Sequence, residues 1–275
     1  MSRRASTPAA LRWTGYIGIA IVFAIACAFL SNWQFSRNTE RAEQLALVEA
    51  NYDAALVPFA ELIPAGSALN PADEWHPVEL TGTYLAEQQQ LVRNRAHGGT
   101  AAFEVLVPFQ LDDGRILLVD RGWVRPGASA EEAETIAAPP TGEVTVIARL
   151  RPGEVLPTSG RGAPPGQVPT IHLPLVAEQL GLADLDTSAY GIMVSEDPAP
   201  ATRPEPIASP TEDPGPHLSY AIQWILFALM GFAFIGYVIV SERRHRREDA
   251  EAATIQRPRD RDMQDEDAVL DQAVR

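Results

Sequence analysis

Residues 214–224 read PGPHLSYAIQW and open an apolar run that ends at Val240. The prolines and the glycine before His217 prevent a helix from beginning earlier, because proline lacks an amide hydrogen and glycine favours other backbone conformations. A run of about 20 apolar residues is long enough to cross a bilayer as a helix. We therefore predict a membrane-spanning helix over residues 218–240, with His217 at the membrane boundary. An ionisable side chain at that depth usually has a function, and imidazole can bind haem iron.

A second apolar run, residues 13–30, lies near the N-terminus, and neither run contains an arginine, lysine, aspartate or glutamate. Two other interpretations exist, because Ala26-Cys27-Ala28 offers both a small-residue cleavage site and the cysteine of a lipoprotein signal. The run is, however, longer than the ~7–15 apolar residues of a signal-peptide core. We interpret it as an uncleaved transmembrane anchor.

Each apolar run has arginines at the end that is nearer to a terminus of the chain. They are Arg3, Arg4 and Arg12 before the first run and Arg243, Arg244, Arg246 and Arg247 after the second. The positive-inside rule therefore places residues 1–12 and the charged tail, residues 241–275, in the cytoplasm of a cell whose plasma membrane holds the protein. Residues 31–217 must then lie outside the cytoplasm. The mixed charge of the tail predicts disorder beyond its first turns.

Composition limits the possible functions. The net charge is −14 and all 22 basic residues are arginines. Most of the negative charge falls between the two spans, which argues against binding to nucleic acid or to anionic lipid through that part. An acidic surface can instead dock a basic partner, or it can simply keep the domain soluble. Cys27 is the only cysteine, which excludes an internal disulfide and Cys-x-x-Cys chemistry.

Between the spans the pattern predicts a helix, a β-rich core and a proline-rich connection. The helix continues from the first span over residues 31–57, the β-rich core covers residues 75–196, and residues 197–217 form an extended segment rich in proline. Alternation of apolar and polar residues predicts strands at 78–85, 90–95, 103–110, 115–121, 143–150 and 190–195, with a short strand at 170–173 and a helical turn at 175–180. Residues 152–169 are predicted to be an exposed connector because they are rich in proline and glycine.

The predicted fold class is therefore α+β. Two transmembrane helices flank a small, mainly antiparallel β domain of six or seven strands outside the cytoplasm, with a partly closed barrel as one form it could take. The continuous apolar run at residues 116–119 indicates a central strand that is buried on both faces.

Two strings in the β-rich core are candidates for function. In Arg121-Gly122-Trp123 the glycine permits a backbone geometry that side chains block, and the tryptophan can anchor a packed surface. The simpler interpretation is a strand end with a structural tryptophan. The second string is residues 93–99 (RNRAHGG). Its Arg93 and Arg95 can pair with haem propionates or with a partner's carboxylates, or they can neutralise carboxylates of the domain itself, and His97 is expected to be solvated.

The second span carries His217, Tyr220, Ala221, Trp224, Ala228 and Gly231 on one helical face. The first span offers Ala20, Ala24 and Ala28, small residues that allow two helices to approach closely. These faces can simply pack together. Alternatively, His217 and its aromatic neighbours hold a flat hydrophobic cofactor. Recognised catalytic motifs are missing from the sequence, and we expect a protein that is not an enzyme.

Taken in order, these strings resemble the surfeit-locus-1 family of cytochrome c oxidase assembly proteins over most of residues 13–240. Trp33-Gln34 after the anchor is similar to the family start, residues 78–85 with Arg95 and Gly99 to its first strands, residues 118–124 (LVDRGWV) to its central motif, and residues 217–224 to its C-terminal motif. The long proline- and glycine-rich connector and the acidic loop at 126–140 depart from the family.

The resemblance implies a non-enzymatic role in maturing the haem-bearing subunit of cytochrome c oxidase, with haem a as a transient cofactor supplied by the haem A synthesis machinery. It implies that His217 is the axial ligand of the haem iron and that Tyr220 and Trp224 line the site, while Arg121, Gly122 and Trp123 carry the central motif. His97 or another chain could supply a second ligand. A stable accessory subunit of a respiratory oxidase, without haem contact, is the main alternative. A surface binding module unrelated to respiration is a further one.

Overall fold

A computed structural model describes residues 9–129, 131–160 and 162–273. The chain divides into two compact units: one contains the residues up to Arg41 and those from Pro214 onward, and the other is Ala42–Asp213. Of the predicted cytoplasmic N-terminus, residues 1–8, which include Arg3 and Arg4, lie outside the described residues, as do the last two residues of the tail.

The described residues contain four α-helices, α1 at Ala9–Asn51, α2 at Phe59–Leu62, α3 at Leu173–Leu180 and α4 at His217–Ala273. Among the described residues α1 and α4 are the two helices that are long and apolar enough to cross a membrane, and they contain the predicted spans. Because these helices flank a domain built mainly of β-strands, the predicted fold class is confirmed: the protein is a membrane protein of the α+β class.

The first unit is an antiparallel pair formed by α1 and α4. Contacts run from Trp13, whose indole nitrogen donates to Glu242, through Phe23 beside Gly231, to Ser31, whose hydroxyl donates to the carbonyl of Ala221 at 2.9 Å. From Ala20 onward, the buried and half-buried residues of α1 along this line include Ala20, Ala24, Cys27, Ser31 and Gln34. Their alternating spacing of three and four keeps one seam of the helix against its neighbour, as in a coiled coil.

This spacing corrects the prediction for the first span. Ala20 is buried and Ala24 is half-buried, but Ala28 is exposed, and Cys27 and Ser31 take its place. Residues four apart at every step drift around a helix of 3.6 residues per turn, whereas alternating steps of three and four stay on one side.

The C-terminal ends of α1 and α4 both differ from the prediction. Helix α1 ends at Asn51 rather than continuing to residue 57, because the Asn51 side chain donates to the carbonyls of Ala72 and Glu74 in the following loop. Helix α4 is helical through Ala273, although disorder was predicted for the tail. Ion pairs one turn apart, such as Arg244–Glu248 at 2.9 Å, support its first charged turns.

In the second unit, the described residues contain eight strands joined in one sheet. They are β1 at Val57–Pro58, β2 at Pro77–Tyr84, β3 at Gln90–His97, β4 at Thr100–Leu111, β5 at Ile116–Val124, β6 at Val144–Arg151, β7 at Gln167–Val168 and β8 at Leu185–Asp197. The order is β1-β2-β6-β8-β5-β4-β3-β7, and an additional pairing between β2 and β4 closes β2, β6, β8, β5 and β4 into a ring.

The ring makes the domain a small closed barrel with a core on each side of the sheet. Along β5, Leu117 and Val119 contribute to the core inside the ring, while Ile116 and Leu118 contribute to a second core that α3 covers. The predicted central strand, buried on both faces, is therefore confirmed. Pairing is mainly antiparallel, but β5 and β8 run parallel, as do the two short strands β1 and β7 with their neighbours β2 and β3.

Two predictions for the connector between β6 and α3 are wrong. The short strand lies at Gln167–Val168 rather than at residues 170–173, because His172 caps α3 and accepts from the Leu175 amide at 3.2 Å. The connector is also anchored to the domain rather than free in solvent, since Val168 is fully buried and Glu154 accepts from the amide of Ile171 at 3.0 Å.

Candidate functional site

His217 is the first residue of α4, where Gly215 and Pro216 end the preceding irregular segment. Its Nδ1 lies 3.0 Å from Oε1 of Gln34 on α1. An amide oxygen can only accept a hydrogen bond, so Nδ1 carries the proton and donates it. In the neutral imidazole this arrangement leaves Nε2 unprotonated, and an unprotonated ring nitrogen is what binds a metal.

The other two residues predicted for this site lie within the next two turns of α4. Trp224 is half-buried and meets the ring of Phe227 edge-on at 5.7 Å. Tyr220 is 47% exposed and does not lie on the seam that faces α1. The predicted face therefore divides: His217, Ala221 and Trp224 follow the seam, while Tyr220 adds an aromatic ring to the open surface beside it.

These residues fit the binding of a haem group. In its neutral form the imidazole offers an unprotonated nitrogen, and the surface next to it is apolar and aromatic, with Leu218 and Tyr220 both about half exposed. A haem needs one or two protein ligands rather than a cage of them. Among the described residues no group of three or more histidines, cysteines, aspartates or glutamates is arranged to hold a bare metal ion.

The central motif lies in the β barrel, and its arginine is inside. Arg121 has no exposed surface, and its guanidinium pairs with the Glu196 carboxylate of β8 through two contacts of 2.6 and 3.3 Å. A third contact, of 2.9 Å, goes to the carbonyl of Ala137 in the loop after β5. The guanidinium carbon also lies 5.4 Å from the ring of Tyr84. Burial, together with the Glu196 charge, raises the pKa of that tyrosine above its usual range.

Gly122 and Trp123 bind the proline-rich segment that leads to α4. The Trp123 amide donates to the carbonyl of Glu205 at 2.8 Å, and the Glu205 amide donates back at 2.9 Å. Gly122 has a φ of +124°, and a Cβ at this position would lie 2.3 Å from the Glu205 carbonyl oxygen. Glycine is therefore required both for the backbone conformation and for the close approach of the segment. The segment, predicted to be extended and unfolded, is thus held to the barrel at Glu205.

The indole of Trp123 connects the motif to a cluster of charges on the outer side of the sheet. It stacks on His97 with 5.3 Å between ring centres and 5° between the planes. His97 in turn lies 3.0 Å from the Glu104 carboxylate, so the expectation of a solvated His97 is wrong. Arg95 pairs with Glu104 and with Glu154, each at 2.6 Å. Arg95 therefore neutralises carboxylates of its own domain, which was one of its predicted roles.

Asp120 is buried on the same side of the sheet and accepts a hydrogen bond of 3.0 Å from the amide of Gly122. Burial and the nearby Glu104 carboxylate raise its pKa well above the usual range. Both effects disfavour the charged form of the carboxyl group. The four residues from Asp120 to Trp123 thus make contacts in three places: the barrel interior, the outer charge cluster and the proline-rich segment.

Sequence reasoning missed the partners of these residues. Glu196, Glu205 and Gln34 lie 75, 82 and 183 positions from Arg121, Trp123 and His217, respectively. No local pattern connects positions so far apart. For Gln34 a signal existed, because a polar side chain at the end of an apolar span usually faces a partner.

We expect Gly122→Ala to release the proline-rich segment, because the new methyl group would displace the Glu205 carbonyl. The strained φ alone costs about 1–3 kcal/mol. Hydrogen exchange of the Glu205 and Trp123 amides should accelerate strongly. Gly114→Ala is the matched control, because Gly114 also has a positive φ, of +88°, but an added methyl group there would meet only open space. Equal exchange at Glu205 in the wild type and in Gly122→Ala would contradict this prediction.

Comparison with known proteins gives a consistent result. The SURF1 family model matches residues 21–229, which include slightly more than half of each predicted span and the whole barrel. An uncharacterized SURF1-like protein of Mycobacterium tuberculosis is 33% identical over 244 residues, which cover 86% of this chain and 87% of the relative. A SURF1-like protein of Monosiga brevicollis is 31% identical over 170 residues, 56% of this chain and 62% of the relative. The cytochrome oxidase assembly protein SHY1 of Saccharomyces cerevisiae is 23% identical over 142 residues, 50% of this chain and 36% of that protein.

Proposed function

The chain belongs to the SURF1 family, and from this membership we propose that it is an assembly factor for cytochrome c oxidase that binds haem a through His217. A family relative in yeast carries the name of a cytochrome oxidase assembly protein, which supports the assembly role. The haem role is supported by one observation above all: Nδ1 of His217 is held by Gln34, which leaves Nε2 as the nitrogen for the iron.

The role proposed for the residues is binding and release rather than catalysis. His217 supplies the axial ligand, and Tyr220 and Trp224 offer aromatic surface to the porphyrin. Haem a is the cargo, and the haem-bearing subunit of the oxidase receives it. The haem A synthesis machinery is the source. A single protein ligand suits this task, because cargo held by few bonds can be passed on.

The proposed location is the plasma membrane, with both termini in the cytoplasm and the barrel on the other side. Arginines gather at one end of the helix pair, where Arg12 pairs with Glu242 and Arg243 lies 5.0 Å from the Trp13 ring. Tryptophan at the membrane interface and arginine in the cytoplasm are typical of that end of a spanning helix. His217 and Gln34 lie near the opposite ends of their spans.

We expect a strain that lacks this protein to assemble oxidase with little haem a. The measurement is the haem a absorbance of membranes per amount of the haem-bearing subunit. The wild-type gene should restore the ratio, and His217→Ala should restore the protein but not the ratio. Gln223→Ala, an exposed residue on α4, is the control and should behave as the wild type.

A normal haem content without the protein would contradict the assembly role. The alternative of a stable accessory subunit makes a different prediction: the protein would copurify with mature, active oxidase in a fixed one-to-one ratio. A transient assembly factor should instead be depleted from the mature enzyme.

A further inference from the structure

Gln34 and His217 form a contact of the helix seam beyond Ser31, in the direction of Pro214. Gln34 lies three residues after Ser31, and His217 lies four residues before Ala221, the carbonyl of which Ser31 binds. Both side chains are partly buried. The seam therefore fixes the separation of the two helix backbones at the point where the amide meets the imidazole.

The hydrogen bond between Gln34 and His217 bears on which ring nitrogen of the histidine carries the proton. Histidine exists in two neutral tautomers, and the hydrogen bond made by one ring nitrogen decides which nitrogen is free. Oε1 of Gln34 lies 3.0 Å from Nδ1 and can only accept. With the amide oxygen turned toward Nδ1, the contact favours the tautomer with the proton on Nδ1 and restrains the rotation of the ring. A protonated Nδ1 that donates to an acceptor makes Nε2 a more basic ligand.

We propose that Gln34 is a positioning residue, which holds His217 in the Nδ1-protonated tautomer and so presents Nε2 to the haem iron. This inference rests on the proposed ligation of haem a by His217. It assigns to the first transmembrane helix a defined part in the site, although the ligand itself is on the second. Glutamine suits this part because its amide is neutral and does not add a charge near the membrane boundary.

The tautomer can be measured without haem. The full-length protein, with its five histidines labelled with nitrogen-15, would be examined by NMR in detergent, and His217→Ala would assign the signals. In the wild type the shifts should report a protonated Nδ1 and an unprotonated Nε2. Gln34→Ala should lose this preference, whereas Gln223→Ala, which removes an exposed glutamine of α4, should keep it. An unchanged tautomer in Gln34→Ala would overturn the inference.

The effect on the ligand can be measured with haem a itself. Gln34→Ala should weaken haem a binding by about 10–100-fold, the usual cost of losing a partner behind a metal ligand. It should also lower the iron–histidine stretching frequency in the resonance Raman spectrum of the ferrous complex. Gln34→Glu offers a stronger acceptor, so it should restore binding and raise that frequency above the wild-type value.

These experiments distinguish a failure of the positioning role of Gln34 from a failure of the proposed haem ligand His217. If His217→Ala abolishes haem a binding while Gln34→Ala and Gln34→Glu leave the affinity and the stretching frequency unchanged, the positioning role is wrong and the proposed function stands. If His217→Ala binds haem a as the wild type does, the proposed ligand is wrong, and with it the role of Gln34 toward iron.

Discussion

Replacement of Arg121 by methionine is expected to destabilise the β barrel by about 3–5 kcal/mol, the usual cost of leaving one member of a buried ion pair without its partner. Arg121 and Glu196 have side-chain exposures of 0% and 1%. Without the guanidinium, the Glu196 carboxylate would remain in the barrel interior, far from water. For a domain of this size the loss corresponds to a fall of roughly 6–20 °C in the unfolding midpoint.

The measurement is thermal unfolding of the full-length protein in detergent, followed by tryptophan fluorescence. The double variant Arg121→Met with Glu196→Leu should recover most of the loss, because apolar pairs of similar size often replace buried ion pairs without cost. Arg125→Met is the control: Arg125 is exposed and lies one residue beyond the end of β5, so its effect should stay within about 0.5 kcal/mol. A single Arg121 variant as stable as the wild type would contradict the role given to the pair.

Local patterns in the sequence predicted most of the fold. The alternation over residues 78–85 and the apolar run at 116–119 predicted β2 and the centre of β5, because side chains on a strand point alternately to its two faces. The apolar runs likewise predicted α1 and α4. Each of these features depends on neighbouring residues only.

Pairings between distant residues could not be predicted in this way. The closure of the ring by β2 and β4 joins Gly82 to Leu111, and nothing in either strand alone selects this partner. Sequence reasoning also expects charged residues on the surface, which concealed the burial of Arg121 and Glu196. The loop bonds of Asn51 that end α1 belong to the same class, because their acceptors are backbone carbonyls without a sequence signature.

In the candidate site, too, features that depend on neighbouring residues could be predicted and contacts between distant residues could not. His217 and its position at the start of α4 followed from the prolines before it and the apolar run after it. The role of Gln34 needed the structure, because the amide and the imidazole meet across 183 residues of sequence. Tyr220 shows the limit of helical periodicity: residues three apart share a broad face, but only one narrow seam of that face touches the neighbouring helix.

His217→Ala is expected to have the largest effect on haem a binding. Alanine removes the nitrogen that would coordinate the iron, so the loss of affinity should exceed the roughly 10–100-fold that follows from removing a partner behind a ligand. The fold should be preserved, because His217 is the first residue of α4 and most of the seam below it, from Ser31 and Ala221 onward, remains in place. Far-ultraviolet circular dichroism would confirm that the variant is folded.

The central claim is that His217 binds the iron of haem a, and one measurement tests it most directly. Purified wild-type protein and His217→Ala would each be titrated with haem a in the same detergent, and the absorbance spectrum would be recorded at every step. The wild type should give a saturable spectrum of histidine-ligated haem a, and His217→Ala should give only the spectrum of haem a in detergent. Identical spectra with identical titration midpoints would contradict the claim.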